Sequence, residues 1–411
     1  MKILVLSSCY PRRSAPNHGI FIHRQLKALQ DLGVECRVLQ PADWSPPAPL
    51  HSLYSGWQHG HDERRDMLDE VEGVRVHHPR TFLPVPSRFF SGDYWTRVGC
   101  GVARYVKRHK ELRDADAIYA HFLCHEGYAG LIAARELKMP LVAIARGDDV
   151  HLWPERWPDR KPKLAAVLRE ARGLLACSAG LARDAEKWAT DGLSCPIEVV
   201  YNGIDTEIFA PVASVEAKLV LRRQFNLPAE ARLLLCVATP IVEKGWLDLL
   251  DALAALNSPD WHIVMAGAPR GNGDLNLLDE AARRGLSGHA YWLGLVNAAQ
   301  MPALYQASDA FALASHNEGL SNSVLEAMAT ALPTVATDVG GHAEIIADGL
   351  NGRLVPPRNA EKLANALRDT LLNPTLAATW GQAARLRALR VGSPRANAAH
   401  LKSYFARIIG V

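Results

Sequence analysis

The sequence predicts an α/β chain made of two parallel, doubly wound halves. Short apolar runs alternate with helical patterns along nearly the whole chain. The runs are apolar on both faces, as strands covered by helices above and below must be. At 411 residues the chain is long enough for two domains that each bury a core.

In the first half, candidate strands fall at 3–7, 35–39, 74–77, 117–120, 141–145, 173–177 and 197–200. Helical patterns lie between several of them, at 19–32, 95–112, 126–137 and 162–170. The second half repeats the style, with strands at 233–237, 261–266, 290–293, 310–314, 334–336 and 353–355. Its helices are read at 246–256, 275–284, 301–307, 322–330, 343–347 and 360–372. The segment 202–220 reads as the link between the halves. Two stretches break the alternation. In 41–70, Pro41, Pro46, Pro47 and Pro49 lead into a polar, His- and charge-rich run, long for a loop and therefore read as functional or mobile. Residues 80–95 form a second irregular insert, rich in aromatics. In sheets of this kind ligands bind beyond the C-terminal ends of the strands.

Composition sets outer bounds. The chain is 48% hydrophobic and 22% charged, as ordinary globular chains are. A net charge of +3 gives no reason to expect nucleic acid, and it permits without demanding contact with an anionic membrane surface. Seven cysteines with no C-x-x-C pair read as reduced thiols of a cytosolic protein. The N-terminal apolar run stops at polar residues and Pro11, so it reads as a buried strand rather than a signal peptide. No stretch reaches the roughly 20 apolar residues that span a bilayer, so any membrane association is expected to be peripheral.

The most chemically specific run is 315–328, which carries Glu318 and Glu326 eight residues apart. The first acid falls on a loop and the second inside the following helix. Between them Gly319, Leu320, Ser321 and Asn322 place amides at a helix N-terminus, which attracts anions. Two acceptors flanking an anion site suit a ligand with hydroxyls at both ends and phosphate in the middle, the shape of a nucleotide sugar. The plainer alternative is a capped helix with two solvated acids.

Around this run the sequence resembles the GT-B glycosyltransferases, specifically the family 4 retaining enzymes that use nucleotide-sugar donors. The resemblance covers nearly the whole chain and is densest over 199–357. It is carried by Tyr201-Asn202-Gly203-Ile204-Asp205, Glu243-Lys244-Gly245, Ala266-Gly267, Trp292-Leu293-Gly294, Ser308-Asp309, the Glu318/Glu326 run, Gly340-Gly341 and Asn351-Gly352-Arg353. It implies two Rossmann-like domains with parallel sheets facing a central cleft. Residues 1–201 would bind the acceptor and 202–392 the nucleotide sugar, and 393–411 would form a helix returning to the first domain.

The resemblance also implies roles for single residues. Lys244 would set an ammonium against the donor diphosphate, where a surface lysine at a helix start is the bland reading. Glu318 would bind the sugar hydroxyls and Glu326 the ribose hydroxyls, since a carboxylate accepts two directed bonds from a diol. His121, at a strand end, would face the sugar, so His121, Lys244 and Glu318 form the expected catalytic set. Gly19 would let a helix-start amide approach a phosphate, Gly267 belongs to the donor site, and the backbone around Leu293 would meet the base.

Arg146 and Asp149 occupy the place of the family's His-Gly-x-Asp and are assigned to the acceptor; Asp149 has the alternative of ordering its loop. The family often carries an arginine five residues before the lysine, but here that position is Thr239. Arg146 or Arg270 is the expected substitute phosphate partner. The basic run from Arg104 to Arg113 reads as a solvated face or as a contact to an anionic leaflet.

The implied activity is retaining transfer of a hexosyl unit from a nucleoside diphosphate sugar to a glycan or lipid-linked glycan. The setting would be bacterial cell-surface polysaccharide synthesis, at the cytoplasmic side of the membrane. No metal is expected, since there is no Asp-x-Asp at the diphosphate. A sugar-nucleotide epimerase on the same fold and a non-catalytic nucleotide-sugar binder are the rival readings.

Overall fold

Leucine, isoleucine, valine and alanine fill the strand runs because helices cover both faces of each sheet. Ile3, Leu4, Val5 and Leu6 are all fully buried, whichever face they point to. The computed structural model describes residues 1–82, 93–258, 260–269, 271 and 273–410. These fall into two compact units, Met1–Tyr201 with Pro394–Val411, and Asn202–Ser393.

The first unit contains β1 (Lys2–Leu6), β2 (Glu35–Leu39), β3 (Ala42–Trp44), β4 (Glu70–Val71), β5 (Val74–His77), β6 (Arg80–Phe82), β7 (Ala117–His121), β8 (Leu141–Ala145), β9 (Gly173–Ala176) and β10 (Ile197–Val199). Its main sheet runs β10-β9-β8-β7-β1-β2-β5-β4. Every pairing in it is parallel except β4 with β5. The chain winds outward from β1 in one direction and from β7 in the other, so the switch point lies between those two strands.

Helix Ile20–Asp31 buries Ile22, Leu26 and Leu29 on one face. Helix Pro394–Ile409 buries Ala398, Leu401, Tyr404 and Phe405, and both helices share one core with β1 and β7. Phe405 meets Tyr119 edge-on at 5.2 Å, and the Tyr404 hydroxyl donates to the Leu174 carbonyl.

The stretch 41–70 is structured rather than a long loop. After β3 comes a 3-10 helix, Ala48–Leu53, and then an α-helix, Ser55–Asp66. That α-helix buries only Gly60, so it has no apolar stripe by which to be recognised. Polar bonds hold it: Arg12 pairs with Glu63, and Asp66 accepts from the amide of Ser14 at 2.7 Å. Of the second insert, 80–82 form β6 and residues 83–92 lie outside the described residues. The helix expected at 95–112 runs Tyr94–Arg108, stops where His109 turns extended, and resumes as Lys110–Arg113.

The second unit contains β11 (Arg232–Val237), β12 (Trp261–Ala266), β13 (Ala290–Trp292), β14 (Ala310–Leu313), β15 (Thr334–Thr337) and β16 (Arg353–Val355). They are ordered β13-β12-β11-β14-β15-β16, all parallel. Counted within the unit this is 3-2-1-4-5-6, the doubly wound order whose switch point lies between the first and fourth strands. Part of the supposed link is helix Val215–Gln224, capped by Ser214 and anchored by the buried Arg222, whose guanidinium bonds Ala307, Ala229 and Ala231 carbonyls and Asp309. The 18-residue helix Pro374–Val391 had no counterpart in the periodicity. Its buried face is mostly Ala377, Gly381, Ala384 and Ala388, side chains too small to write a strong pattern. Among the described residues no helix is long and apolar enough to cross a membrane.

Candidate functional site

In the second unit the predicted donor residues gather around the switch point. After β11 the chain makes a 3-10 turn, Val242–Lys244, before helix Trp246–Leu256. After β14 comes the loop that ends in helix Asn322–Ala329. The Lys244 ammonium lies 2.7 Å from Glu318 Oε1, and the Ser315 hydroxyl donates to the same oxygen at 2.9 Å.

Glycines let these loops press together. Gly245 sits at φ 66°, and a Cβ there would lie 1.8 Å from the Ala314 carbonyl oxygen. Gly340 sits at φ 55°, where a Cβ would lie 2.0 Å from the Glu318 carbonyl oxygen. Segment 314–318 is thus clamped between two left-handed turns that only glycine fills without strain. Gly267 has a similar origin, with a Cβ there meeting the Ala238 carbonyl at 1.9 Å.

Burial pushes the Glu318 carboxyl up. The charge of Lys244 and the hydrogen bonds from Lys244 and Ser315 outweigh it and hold the group below the usual range. His342 was not singled out from sequence. Its Nδ1 is 2.8 Å from the Thr337 carbonyl, so the proton sits on Nδ1. Nε2 is left buried as a bare acceptor with no partner among the described residues. Burial lowers the His342 pKa against the pull of Glu318, so the ring is neutral.

Glu326 projects from the helix and accepts from the Tyr305 hydroxyl at 3.0 Å. Neither acid is simply solvated, and Ser321 makes no side-chain cap to the helix, so the capped-helix alternative loses both of its features. Gly319, through its carbonyl, ties to the Gly341 amide at 2.8 Å, and Leu320 is buried. Asn322 opens the helix at its N1 position. The Leu293 amide is committed to the Met265 carbonyl at 2.9 Å, and Gly294 accepts from Gly267. The Thr239 carbonyl accepts from the Trp246 indole at 2.8 Å, and Arg270 lies outside the described residues.

A second group lies at the switch point of the first unit. His121 ends β7 and is fully buried. Arg146 follows β8 and donates to His121 Nδ1 from Nε at 3.2 Å and Nη2 at 3.0 Å. Nδ1 is therefore the acceptor, and the proton is on Nε2, which is buried with no partner among the described residues. Burial and then the Arg146 charge keep this histidine neutral. Arg146 also bonds Gln25 and lies 5.1 Å over the Phe21 ring, so its charge is engaged locally rather than held out for a phosphate.

Asp149 is buried and accepts from the amides of Leu123, Arg146 and Gly147. Of its two readings, loop ordering has bonds to show. Gly19, at φ 68°, begins helix Ile20–Asp31, and a Cβ there would lie 2.2 Å from the Cys9 carbonyl oxygen. Close backbone approach accounts for this glycine.

Glu126 was also unread. It lies in a π-helical turn, Leu123–Gly127, just past β7, and accepts from both the amide and the hydroxyl of Ser8, just past β1. Its other oxygen is buried without a partner among the described residues, and burial raises its pKa to about 7. A lone acid in an apolar stretch after a strand was the available signal.

Residues 19–208 match the family described as Glycosyltransferase Family 4, and residues 218–387 match Glycosyl transferases group 1. A glycogen synthase of Mycobacterium tuberculosis is 31% identical over 406 residues, covering 94% of this chain and 90% of that protein. The Bacillus subtilis protein TuaC, named for a teichuronic acid biosynthesis glycosyltransferase, is 28% identical over 375 residues, covering 89% of this chain and 88% of its own. Among solved structures, HepE of Anabaena in complex with UDP-glucose aligns over 99% of this chain and 100% of its own, with TM-score 0.74 and 22% identity.

Proposed function

This chain belongs to the family 4 glycosyltransferases and shares their GT-B fold, and from that premise we propose that it moves a hexosyl unit from a nucleoside diphosphate sugar to a hydroxyl of a glycan or lipid-linked glycan, with retention at the anomeric carbon. The Lys244–Glu318 pair at the switch point carries the reading. A lysine ammonium has three donors, so Lys244 can keep Glu318 and still face a phosphate. Glu318, held ionised, accepts from sugar hydroxyls, and the bare Nε2 of His342 offers one more acceptor beside it.

The second unit takes the donor: Lys244, Gly267, Leu293, Glu318, the amides of 319–322 and Glu326. The first unit takes the acceptor, with His121 presenting Nε2–H to a sugar oxygen and Arg146 holding that tautomer. The C1–oxygen bond to the diphosphate breaks with its electron pair on the phosphate. The acceptor oxygen bonds C1 on the same face, and its proton passes to the departing diphosphate. Lys244 and the helix amides stabilise the charge that develops. No metal is assigned to the step. The UDP-glucose bound to HepE and the teichuronic acid biosynthesis named for TuaC support a nucleotide-sugar donor and a glycan product. The setting is the cytoplasmic side of the membrane.

The test is a thermal-shift screen against UDP-, GDP- and ADP-sugars, with Glu326→Ala alongside and with and without a chelator. A rise specific to one nucleotide sugar, insensitive to the chelator and absent in the variant, is expected. Transfer assays with that donor then read the anomeric configuration of the product. Conversion of the donor with no acceptor present would identify an epimerase, and no shift with any donor would remove the donor site.

A further inference from the structure

The first unit holds a cavity of ≈ 800 Å³ that shares no residue with either group described above. Arg13, Arg64, Arg65, Arg80, Arg104 and Arg108 line it, against a single acid, Asp69. Tertiary structure assembles this set from four places. Arg64 and Arg65 end helix Ser55–Asp66, and Arg13 is brought beside them by its amide, which donates to the Asp66 carbonyl at 3.0 Å. Arg80 opens β6, and Arg104 and Arg108 stand one turn apart on helix Tyr94–Arg108. The other wall is Val76, His77 and His78, at and just past the C-terminal end of β5, the end at which parallel sheets bind ligands.

Several arginines elsewhere in this unit have acids, among them Arg12 with Glu63, Arg37 with Glu35, Arg135 with Glu170 and Arg169 with Asp191. None of the six cavity guanidiniums has a hydrogen bond or ion pair among the described residues. Six like charges gathered against one lining acid repel one another, and an anionic ligand would relieve that repulsion. Asp69 also lies 3.5 Å from His78. Beneath them Tyr105 stacks on His109 with ring centroids 3.8 Å apart, and its hydroxyl lies 3.3 Å from His77 Nδ1. His77 Nε2 is buried with no partner among the described residues.

Arginine forks match phosphate oxygens two bonds at a time, and this volume lies within the range of about 300–1,000 Å³ typical of small-ligand pockets. We propose that this cavity binds a ligand carrying two or more closely spaced phosphates, a diphosphate being the simplest. A single phosphate would engage only some of the six forks. Of the basic run read from sequence as a solvated face or a leaflet contact, Arg104 and Arg108 line this cavity and Lys110 and Arg113 do not, though all four are exposed.

Binding here is measured without turnover, so the result is separate from sugar transfer. The full chain is titrated with inorganic pyrophosphate by calorimetry, at low and high salt. R104Q/R108Q tests the pocket, K110Q/R113Q controls for nearby surface charge, and Lys244→Ala controls for the donor site. Melting temperatures establish that each variant is folded. The expected result, in the Lys244→Ala background that removes the donor-site component, is salt-sensitive binding weakened roughly tenfold or more by R104Q/R108Q and essentially unchanged by K110Q/R113Q. Phosphatidylcholine vesicles carrying a polyprenyl diphosphate separate the sources. Vesicle binding that pyrophosphate displaces and R104Q/R108Q loses points to a headgroup, and pyrophosphate binding without vesicle binding points to a free ligand. In the Lys244→Ala background, absence of pyrophosphate binding, its survival in R104Q/R108Q, or equal loss in K110Q/R113Q overturns the proposal.

Discussion

Glu126 is buried against its own charge. In the folded protein it keeps its proton up to about pH 7, whereas in the unfolded chain it ionises near its ordinary 4.5. Stability from this residue therefore falls as pH rises from about 4.5 to 7 and is flat beyond, a difference on the order of 3 kcal/mol. Glu126→Gln is expected to melt above the native protein at pH 8 and to lose that advantage near pH 4.5, read by thermal denaturation across pH. Glu318 is the opposite case. Burial raises it, but Lys244 and its other partners hold it low, so its contribution is present above the unfolded carboxyl pKa and is lost as pH falls through the lower folded value. Lys244→Ala leaves that acid unpaired and mostly buried. We expect it to cost about 2–3 kcal/mol in urea denaturation at neutral pH, the gap to the native protein closing in acid, and to abolish transfer.

At the scale of elements, the loops beyond β11 and β14 have their shape because glycine stands where no side chain fits. Gly33 and Gly245 are both left-handed, at φ 80° and 66°, yet a Cβ at Gly33 meets nothing within 4 Å. Gly33→Ala should carry the conformational penalty alone, about 1 kcal/mol, whereas Gly245→Ala should cost at least about 2 kcal/mol more because Ala314 stands in the way. Urea midpoints of the two variants decide this. The same scale shows which helices were legible. Ile20–Asp31 writes Ile22, Leu26 and Leu29 at helical spacing, whereas Ser55–Asp66 is held by polar partners 51 and 52 residues away and writes nothing periodic.

At the scale of the whole molecule, the last helix completes the core that the first strands begin. Phe405 and Tyr404 pack with Ile3, Val5 and Tyr119, so the first unit depends on residues nearly four hundred positions from its start. Phe405→Ala should destabilise this unit by about 3–5 kcal/mol. Hydrogen exchange should then accelerate in β1 and β7, while the sheet of the second unit keeps its protection. Equal acceleration in both sheets would show that the units unfold together.

Strand runs, their parallel class and the Lys244, Glu318 and Glu326 positions were readable because they depend on local apolarity and on short motifs of ordered spacing. The partners were not. That Glu318 meets Lys244, 74 residues away, that Arg146 sets the tautomer of His121, and that Glu126 reaches Ser8 across the gap between β7 and β1 follow from strand order, which no local pattern records. The arginine cavity is the clearest instance. Its cations come from a loop, two helices and a strand, and in sequence only Arg64 and Arg65 are neighbours. Residue types, periodicity and motif order determined the fold class and singled out the Lys244, Glu318 and Glu326 positions. Only the winding of the sheets decided which charges were paired and which were left gathered around one cavity, because charges interact over ångströms of space and not over positions in a chain.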